Sequence, residues 1–270
     1  MALDKVKSNG LVLLGCGKMG SALLQGWLAQ GVPAASVWVL DPHPSAWLNA
    51  QGVHLNQGLP KAPAIVVVAV KPQMMAAALP SLRALGGGGT LFLSIAAGIT
   101  IATYEQMLGA GTPVVRAMPN TPAAVARGIS ALCRNAQATE ADMVLAEALL
   151  SAVGEVVRLD GEHQMDAVTA VSGSGPAYVF HLIEALAAAA EAEGLPAPLA
   201  ARLALATVAG AGELARQSPD SPAQLRINVT SPGGTTAAAL AVLMDSKTGF
   251  PGLLRGAVRA AAARGRELGK

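Results

Sequence analysis

Two stretches of this chain place small and hydrogen-bonding residues at spacings suited to binding anions. The first is Gly15-Cys16-Gly17-Lys18-Met19-Gly20, a G-x-G-x-x-G pattern. In such a loop the first glycine permits a tight turn. The second lets a pyrophosphate approach the backbone, and the third lets helix and strand pack closely. The other stretch is Ser231-Pro232-Gly233-Gly234-Thr235-Thr236. It has two readings. As plain local structure, Ser231 is a helix N-cap and Pro232 takes the first helical position, where a missing N–H costs nothing. As a binding site, the glycines open the backbone, and the first-turn amides cradle a carboxylate or phosphate with the hydroxyls of Ser231, Thr235 and Thr236.

The elements around the glycine loop give it meaning. Residues 10–14 are apolar and predict a strand, and residues 21–30 predict a helix. Strand, glycine turn and helix in that order point to dinucleotide binding. A second strand over 36–40 ends at Asp41, about twenty residues past Gly20, where an acid bonds the adenosine ribose hydroxyls. An aspartate there repels a 2′-phosphate, and no arginine follows closely to receive one, which tilts the choice toward NADH over NADPH. The alternative for Asp41 is a strand-end turn, since Pro42 and Pro44 follow.

Residues 64–70 form the continuous apolar run of a buried parallel strand and end at Lys71-Pro72. Residues 90–94 form another, followed by Ile95-Ala96-Ala97-Gly98, small residues that suit either a flat cofactor ring or a crowded loop. Residues 113–117 lead into Met118-Pro119-Asn120-Thr121-Pro122. The two prolines hold this turn and present Asn120 and Thr121 at the carboxyl edge of the sheet, where open α/β sheets bind ligands. Residues 131–133 and 155–159 read as further strands, and 140–152 as a helix.

From Gly161 onward strand-like runs give way to Ala/Leu segments with helical spacing over 175–193, 198–217, 235–245 and 249–268. Residues 171–176 are expected to separate two helices, with Tyr178 and Glu184 as structural residues inside the next one. The predicted fold is α/β: an N-terminal Rossmann domain over 1–160 with a mostly parallel, doubly wound sheet, then an all-α domain over 161–270. A helical domain so apolar is expected to bury surface against a second copy of itself.

Composition excludes several function classes. Of 270 residues, 52% are hydrophobic and 13% charged, and the net charge of +2 offers no basic field for nucleic acid. No apolar run reaches the roughly 18 residues of a membrane span. The polar N-terminus is no secretory signal. Cys16 and Cys133 make no disulfide framework, and His43, His54, His163 and His181 show no metal-ligand spacing. A cytoplasmic protein without metal or membrane partner is expected.

Taken together, the segments 15–20, 69–72, 118–122, 172–178 and 229–236 resemble, in order and spacing, those of the pyrroline-5-carboxylate reductases. The resemblance spans roughly residues 10–268, and 229–236 is its most specific part. It implies a Rossmann domain followed by a helical substrate-binding and dimerisation domain, a homodimer or ring of dimers, and an active site between one Rossmann domain and the helices of the dimer. It further implies reduction of 1-pyrroline-5-carboxylate to L-proline, the last step of proline biosynthesis, with NADPH or NADH. The candidate cofactor residues are Gly15, Cys16, Gly17, Lys18, Met19, Gly20, Asp41, Ala69, Val70, Lys71, Ala97, Gly98, Pro119 and Asn120. The substrate carboxylate falls to Ser231, Gly234, Thr235 and Thr236, and the Thr236 hydroxyl orients the ring nitrogen as the catalytic group. Two positions depart from the family pattern: Asp41 stands where neutral or polar residues are common, and Ile227 where an aspartate is common. A β-hydroxyacid dehydrogenase, the enzymatic alternative, needs a lysine early in its helical domain, and none occurs between Lys71 and Lys247. A non-catalytic dinucleotide-binding protein has no need of the cradle at 231–236.

Overall fold

The computed structural model describes residues 3–269. Its apolar strands assemble into one sheet: β1 (Leu11–Leu14), β2 (Val37–Leu40), β3 (His54–Leu55), β4 (Ile65–Val68), β5 (Leu91–Ser94), β6 (Val114–Met118), β7 (Gly128–Arg134) and β8 (Gly154–Arg158). The order is β3-β2-β1-β4-β5-β6-β7-β8. Every pair is parallel except β6 with β7. The connection from Met118 to Gly128 is too short for the crossover a parallel return needs, so β7 comes back antiparallel. Chain order reverses between β1 and β4, which makes the crevice at their carboxyl ends the switch point of the sheet.

Period-2 alternation sorts each strand between two cores. Leu11 and Leu13 face one side with Ile65, Val67, Leu91 and Leu93. Val12 and Leu14 face the other with Val66, Val68 and Phe92. The first side is covered by helices Lys18–Ala29 and Glu140–Leu150, which bury Trp27 and Leu149 completely. The Trp27 indole donates to the Leu149 carbonyl at 2.8 Å, so its polar edge is satisfied in the core. A capping box of Thr139 and Asp142 starts the second of these helices. On the opposite side lie Met75, Leu79, Leu82 and Tyr104. Burial pushes the Tyr104 phenol up to about 12 against a 2.5 Å hydrogen bond with the Ser94 hydroxyl, so it stays neutral.

By contacts the chain divides into two compact units, 1–173 with 261–270, and 174–260. The first unit thus extends beyond the expected boundary at 160. Residues 161–173 are tied to the sheet by buried polar contacts that no hydrophobic pattern announces. Arg116 on β6, only 5% exposed, donates to Glu162 at 2.5 Å, and the same carboxylate oxygen accepts the Ile101 amide at 2.9 Å. The predicted helix break at 171–176 is instead a π-turn, Thr169–Gly173, running from the short helix Met165–Val168 toward helix Gly175–Ala192. Strand β3 and helices Asp4–Asn9, Ile101–Leu108 and Pro222–Asn228 are too short or too weakly periodic to stand out in the sequence.

The second unit is all helix: Gly175–Ala192, Ala197–Gln217, Pro222–Asn228, Thr235–Leu243 and the first half of Phe250–Leu268. Tyr178 and Glu184 lie within the first, as expected. Among its described apolar side chains only Ala200 and Ala204 are buried, while Phe180, Leu205 and Leu214 are more than half exposed. No helix among the described residues is long and apolar enough to cross a membrane.

Removing the Glu162 carboxylate leaves the buried Arg116 guanidinium without its ion-pair partner. Glu162 is itself partly exposed, so water offsets part of that loss, and Glu162→Ala is expected to lower unfolding free energy by about 2 kcal/mol, read by urea denaturation.

Candidate active site

The glycine loop is built as its spacing requires. Gly15 adopts φ +87°, which a side chain would strain, and its amide donates to the Leu40 carbonyl at 2.8 Å. A Cβ on Gly20 would lie 2.5 Å from the Gly15 carbonyl oxygen, so helix Lys18–Ala29 can cross the end of β1 only with glycine there. Gly17 differs: a Cβ there would meet no atom within 4 Å. Packing therefore does not account for Gly17, and the backbone there is open to the approach of an anion. Gly17 is the N-cap and has no side chain to receive an amide. The first helical amide to close is that of Ser21, onto the Gly17 carbonyl at 2.8 Å. The amides of Lys18, Met19 and Gly20 thus precede any intrahelical acceptor, the arrangement that holds a phosphate. These residues fit the pyrophosphate of a dinucleotide.

Folding gathers the other predicted cofactor residues of the first unit at the same edge. A Cβ on Gly15 would touch Val70 and the Ala69 carbonyl, so the loop after β4 walls the glycine turn. Lys71 is exposed just beyond it, at the start of a 3-10 turn, Pro72–Met74. Ala97 and Gly98 follow β5, with Gly98 at φ +76°. Pro119 and Asn120 follow β6, both buried. Burial, with the Asp41 carboxylate adding to it, raises the Cys16 thiol above its ordinary range despite a contact with the Ser21 hydroxyl. Cys16 is therefore a neutral thiol and no nucleophile.

Asp41 does more than end a strand. One carboxylate oxygen accepts the Cys16 amide at 2.7 Å and the other accepts the His43 amide at 2.8 Å. The Asn56 carboxamide in turn brackets the Asp41 backbone, with bonds of 2.9 and 2.8 Å. Asp41 thereby holds the glycine loop in shape. Asn56, held at φ 51°, is a supporting residue with no sequence signal, because its partner lies on another loop.

The stretch 231–236 departs from both halves of its expected local structure. Helix Thr235–Leu243 begins later than predicted, with Gly234 as N-cap and no side-chain cap. Ser231 is therefore not the N-cap, and Pro232 is not the first helical residue. Instead 231–234 form a turn in which the Gly234 amide donates to the Ser231 carbonyl at 3.1 Å. Proline second and glycine third at φ +71° is the type II pattern, which explains Gly233. The turn also removes one expected donor, since the Gly234 amide is already engaged. The first helical closure is from Ala238 onto Gly234, so the Thr235 and Thr236 amides remain at an open helix end. Thr235 is exposed and Thr236 half-buried in that first turn. Among the described residues no cluster of three or more His, Cys, Asp or Glu could hold a metal ion.

Comparison with known proteins settles the family. A reductase from Pseudomonas aeruginosa named pyrroline-5-carboxylate reductase is 44% identical over 264 residues, covering 96% of each chain. The chain belongs to the pyrroline-5-carboxylate reductase family. A Synechocystis member is 42% identical, with 96% of this chain and 98% of the relative covered. A family model described as pyrroline-5-carboxylate reductase dimerisation matches residues 162–268. One described as NADP oxidoreductase, coenzyme F420-dependent, matches residues 11–98. Among solved structures, a family member from Coxiella burnetii aligns with TM-score 0.90 at 35% identity, covering 97% of this chain and 99% of that one. The Plasmodium falciparum member, solved with NADP bound, aligns with TM-score 0.83 at 30% identity, covering 98% and 99%.

Gly17 and Gly20 should separate binding from packing in this family member. Gly17→Ala is expected to leave the thermal midpoint unchanged while weakening NADPH at least about tenfold, by blocking close approach to the amides. Gly20→Ala should lower the midpoint as well, because its methyl group meets the Gly15 carbonyl. Dye-monitored melting and NADPH fluorescence titration read the two effects.

Proposed function

We propose that this chain reduces 1-pyrroline-5-carboxylate to L-proline with hydride from NAD(P)H, as an oxidoreductase of proline biosynthesis. The observation that carries this reading is the 44% identity to a pyrroline-5-carboxylate reductase along 96% of the chain. The glycine loop supports it, since its helix end is open at Gly17 and closed by packing at Gly20.

Bound nicotinamide supplies the hydride; everything else is binding and orientation by the chain's own residues. The pyrophosphate falls to the amides of Lys18, Met19 and Gly20. Lys71 stands exposed beside that loop, where its charge favours a phosphate. Ala97, Gly98 and Pro119 offer small or rigid surfaces at the ends of β5 and β6. The substrate carboxylate falls to the Thr235 and Thr236 amides and to the Ser231 and Thr235 hydroxyls, with bonds of the stronger, charge-assisted kind. The Thr236 hydroxyl, one position into the helix, orients the imine nitrogen. The Gly234 amide is left out of this set, because it is bonded to Ser231.

The working form is a homodimer. The second unit leaves Phe180, Leu205 and Leu214 largely exposed, an apolar surface that a second copy covers, and the matched dimerisation region includes all of them. Asp41 sets the balance between cofactors and also shapes the loop that both share.

Two measurements test this reading. Thr236→Ala should lower kcat/KM for pyrroline-5-carboxylate by roughly ten- to a hundredfold, about 1.4 to 2.8 kcal/mol, with NADPH affinity unchanged. Wild-type activity in that variant removes Thr236 from the mechanism. Asp41→Ser should weaken both NADH and NADPH by releasing the Cys16 amide, with the smaller loss for NADPH, whose 2′-phosphate no longer meets a carboxylate. Steady-state kinetics with both cofactors checks it, and an unchanged ratio makes Asp41 purely a support of the loop.

A further inference from the structure

Asn120 has the sequence profile of a cofactor ligand: a carboxamide between two prolines at the carboxyl end of a Rossmann strand. Its surroundings point elsewhere. The side chain is turned into the protein and the residue is only 9% exposed. Its Oδ1 accepts the Ile129 amide at 2.9 Å, and its Nδ2 donates to the Ser172 carbonyl at 3.1 Å. Both ends of the carboxamide are therefore engaged by backbone. The partners come from two directions. Ile129 lies at the start of β7, which runs back beside β6, and Ser172 lies in the π-turn Thr169–Gly173.

The π-turn is shaped to receive this contact. Ser172 uses its own hydroxyl to donate to the Val168 carbonyl at 3.0 Å, while its carbonyl accepts from Asn120. Next to it, a Cβ on Gly173 would sit 2.6 Å from the terminal methyl group of Met118. Met118 and Asn120 thus both rest on residues 172–173, one by packing and one by hydrogen bond. A π-turn inside a helical run is rare and marks a place where the helix yields to another demand. Here the demand is seating the turn at 118–120.

We propose that Asn120 is a positioning residue for hydride transfer: by bridging the Ile129 amide and the Ser172 carbonyl it fixes the Met118-Pro119-Asn120 turn at the cofactor edge of the sheet, and it does not itself contact the cofactor. This rests on the reductase reading above. Hydride transfer is steep in distance and alignment, so a loosened turn at this edge costs turnover. Cofactor affinity is anchored at the far side of the switch point, on the glycine loop, and is not affected.

The test is N120D in the full chain. Its carboxylate keeps an acceptor for the Ile129 amide but sets an oxygen against the Ser172 carbonyl. The expected result is a kcat lowered at least about tenfold at saturating NADPH, with the NADPH dissociation constant within about threefold of wild type. Amide hydrogen exchange in residues 169–173 should rise as well. An NADPH dissociation constant raised tenfold or more (about 1.4 kcal/mol), with kcat unchanged at saturation, makes Asn120 a direct ligand and overturns the proposal. So does a variant with wild-type kcat and wild-type exchange. If N120D does not fold, N120S is read by the same criteria, since its hydroxyl can satisfy one partner. A wild-type protein that oxidises no NADPH with pyrroline-5-carboxylate defeats the reductase reading instead. The exchange and affinity comparison then still tells a brace from a ligand.

Discussion

Helix Lys18–Ala29 crosses the end of β1 so closely that no side chain fits between Gly20 and the Gly15 carbonyl. The cofactor half of the molecule depends on this approach. It sets where the helix begins, and so where three amides without helical acceptors point. The sheet reverses its order beside the same spot, between β1 and β4, so the crevice and the helix end coincide. Gly17 is free of packing duty because Gly15 and Gly20 carry it. Gly15 thus answers to a left-handed turn and Gly20 to a helix contact, while Gly17 leaves the backbone between them open.

Around that edge, polar side chains act mainly on backbone. Asp41 binds the amides of Cys16 and His43, Asn120 bridges Ile129 and Ser172, and Glu162 joins Arg116 to the Ile101 amide. Each spans loops that are distant in sequence. Loops without regular structure carry backbone groups that must be satisfied somehow. Meeting them with side chains that are buried or half-buried fixes the loops, since a desolvated donor or acceptor left without its partner costs free energy. The carboxyl edge of the sheet is thereby cross-linked by side chains that join separate segments of the chain.

The helical unit follows a different logic. Its helices bury little of their own apolar surface, with only Ala200 and Ala204 buried among its described apolar side chains. Small residues let helices approach closely, but they leave large neighbours such as Phe180 and Leu205 outside. Such a unit gains its core by association, in keeping with the dimerisation region that the family comparison places over 162–268. The turn at 231–234 sits within this unit and resets the start of the next helix, so the open amides fall on Thr235 and Thr236 rather than on the glycines.

Much of the fold was legible in the sequence. The runs at 64–70 and 90–94 read as buried strands from their length and β-branched content, and Gly15–Gly20 spacing after β1 named the motif. Strand β4 is three residues shorter than its apolar run, mainly because the chain turns away at the carboxyl edge, and β5 is one shorter, whereas β7 extends well before 131–133. The two-residue β3, the helix Ile101–Leu108 and the π-turn gave little signal, as short elements owe their shape to neighbours. The backbone of 231–236 differs from its expected form, because Ser-Pro at a helix start looks alike whether the helix begins at once or after a type II turn. By itself the chain determined its element order, its glycine loop and its family. Only the tertiary structure decided that Asp41 and Asn120 turn inward to backbone, because the amides and carbonyls they serve come from strands and turns that folding alone brings within hydrogen-bond reach.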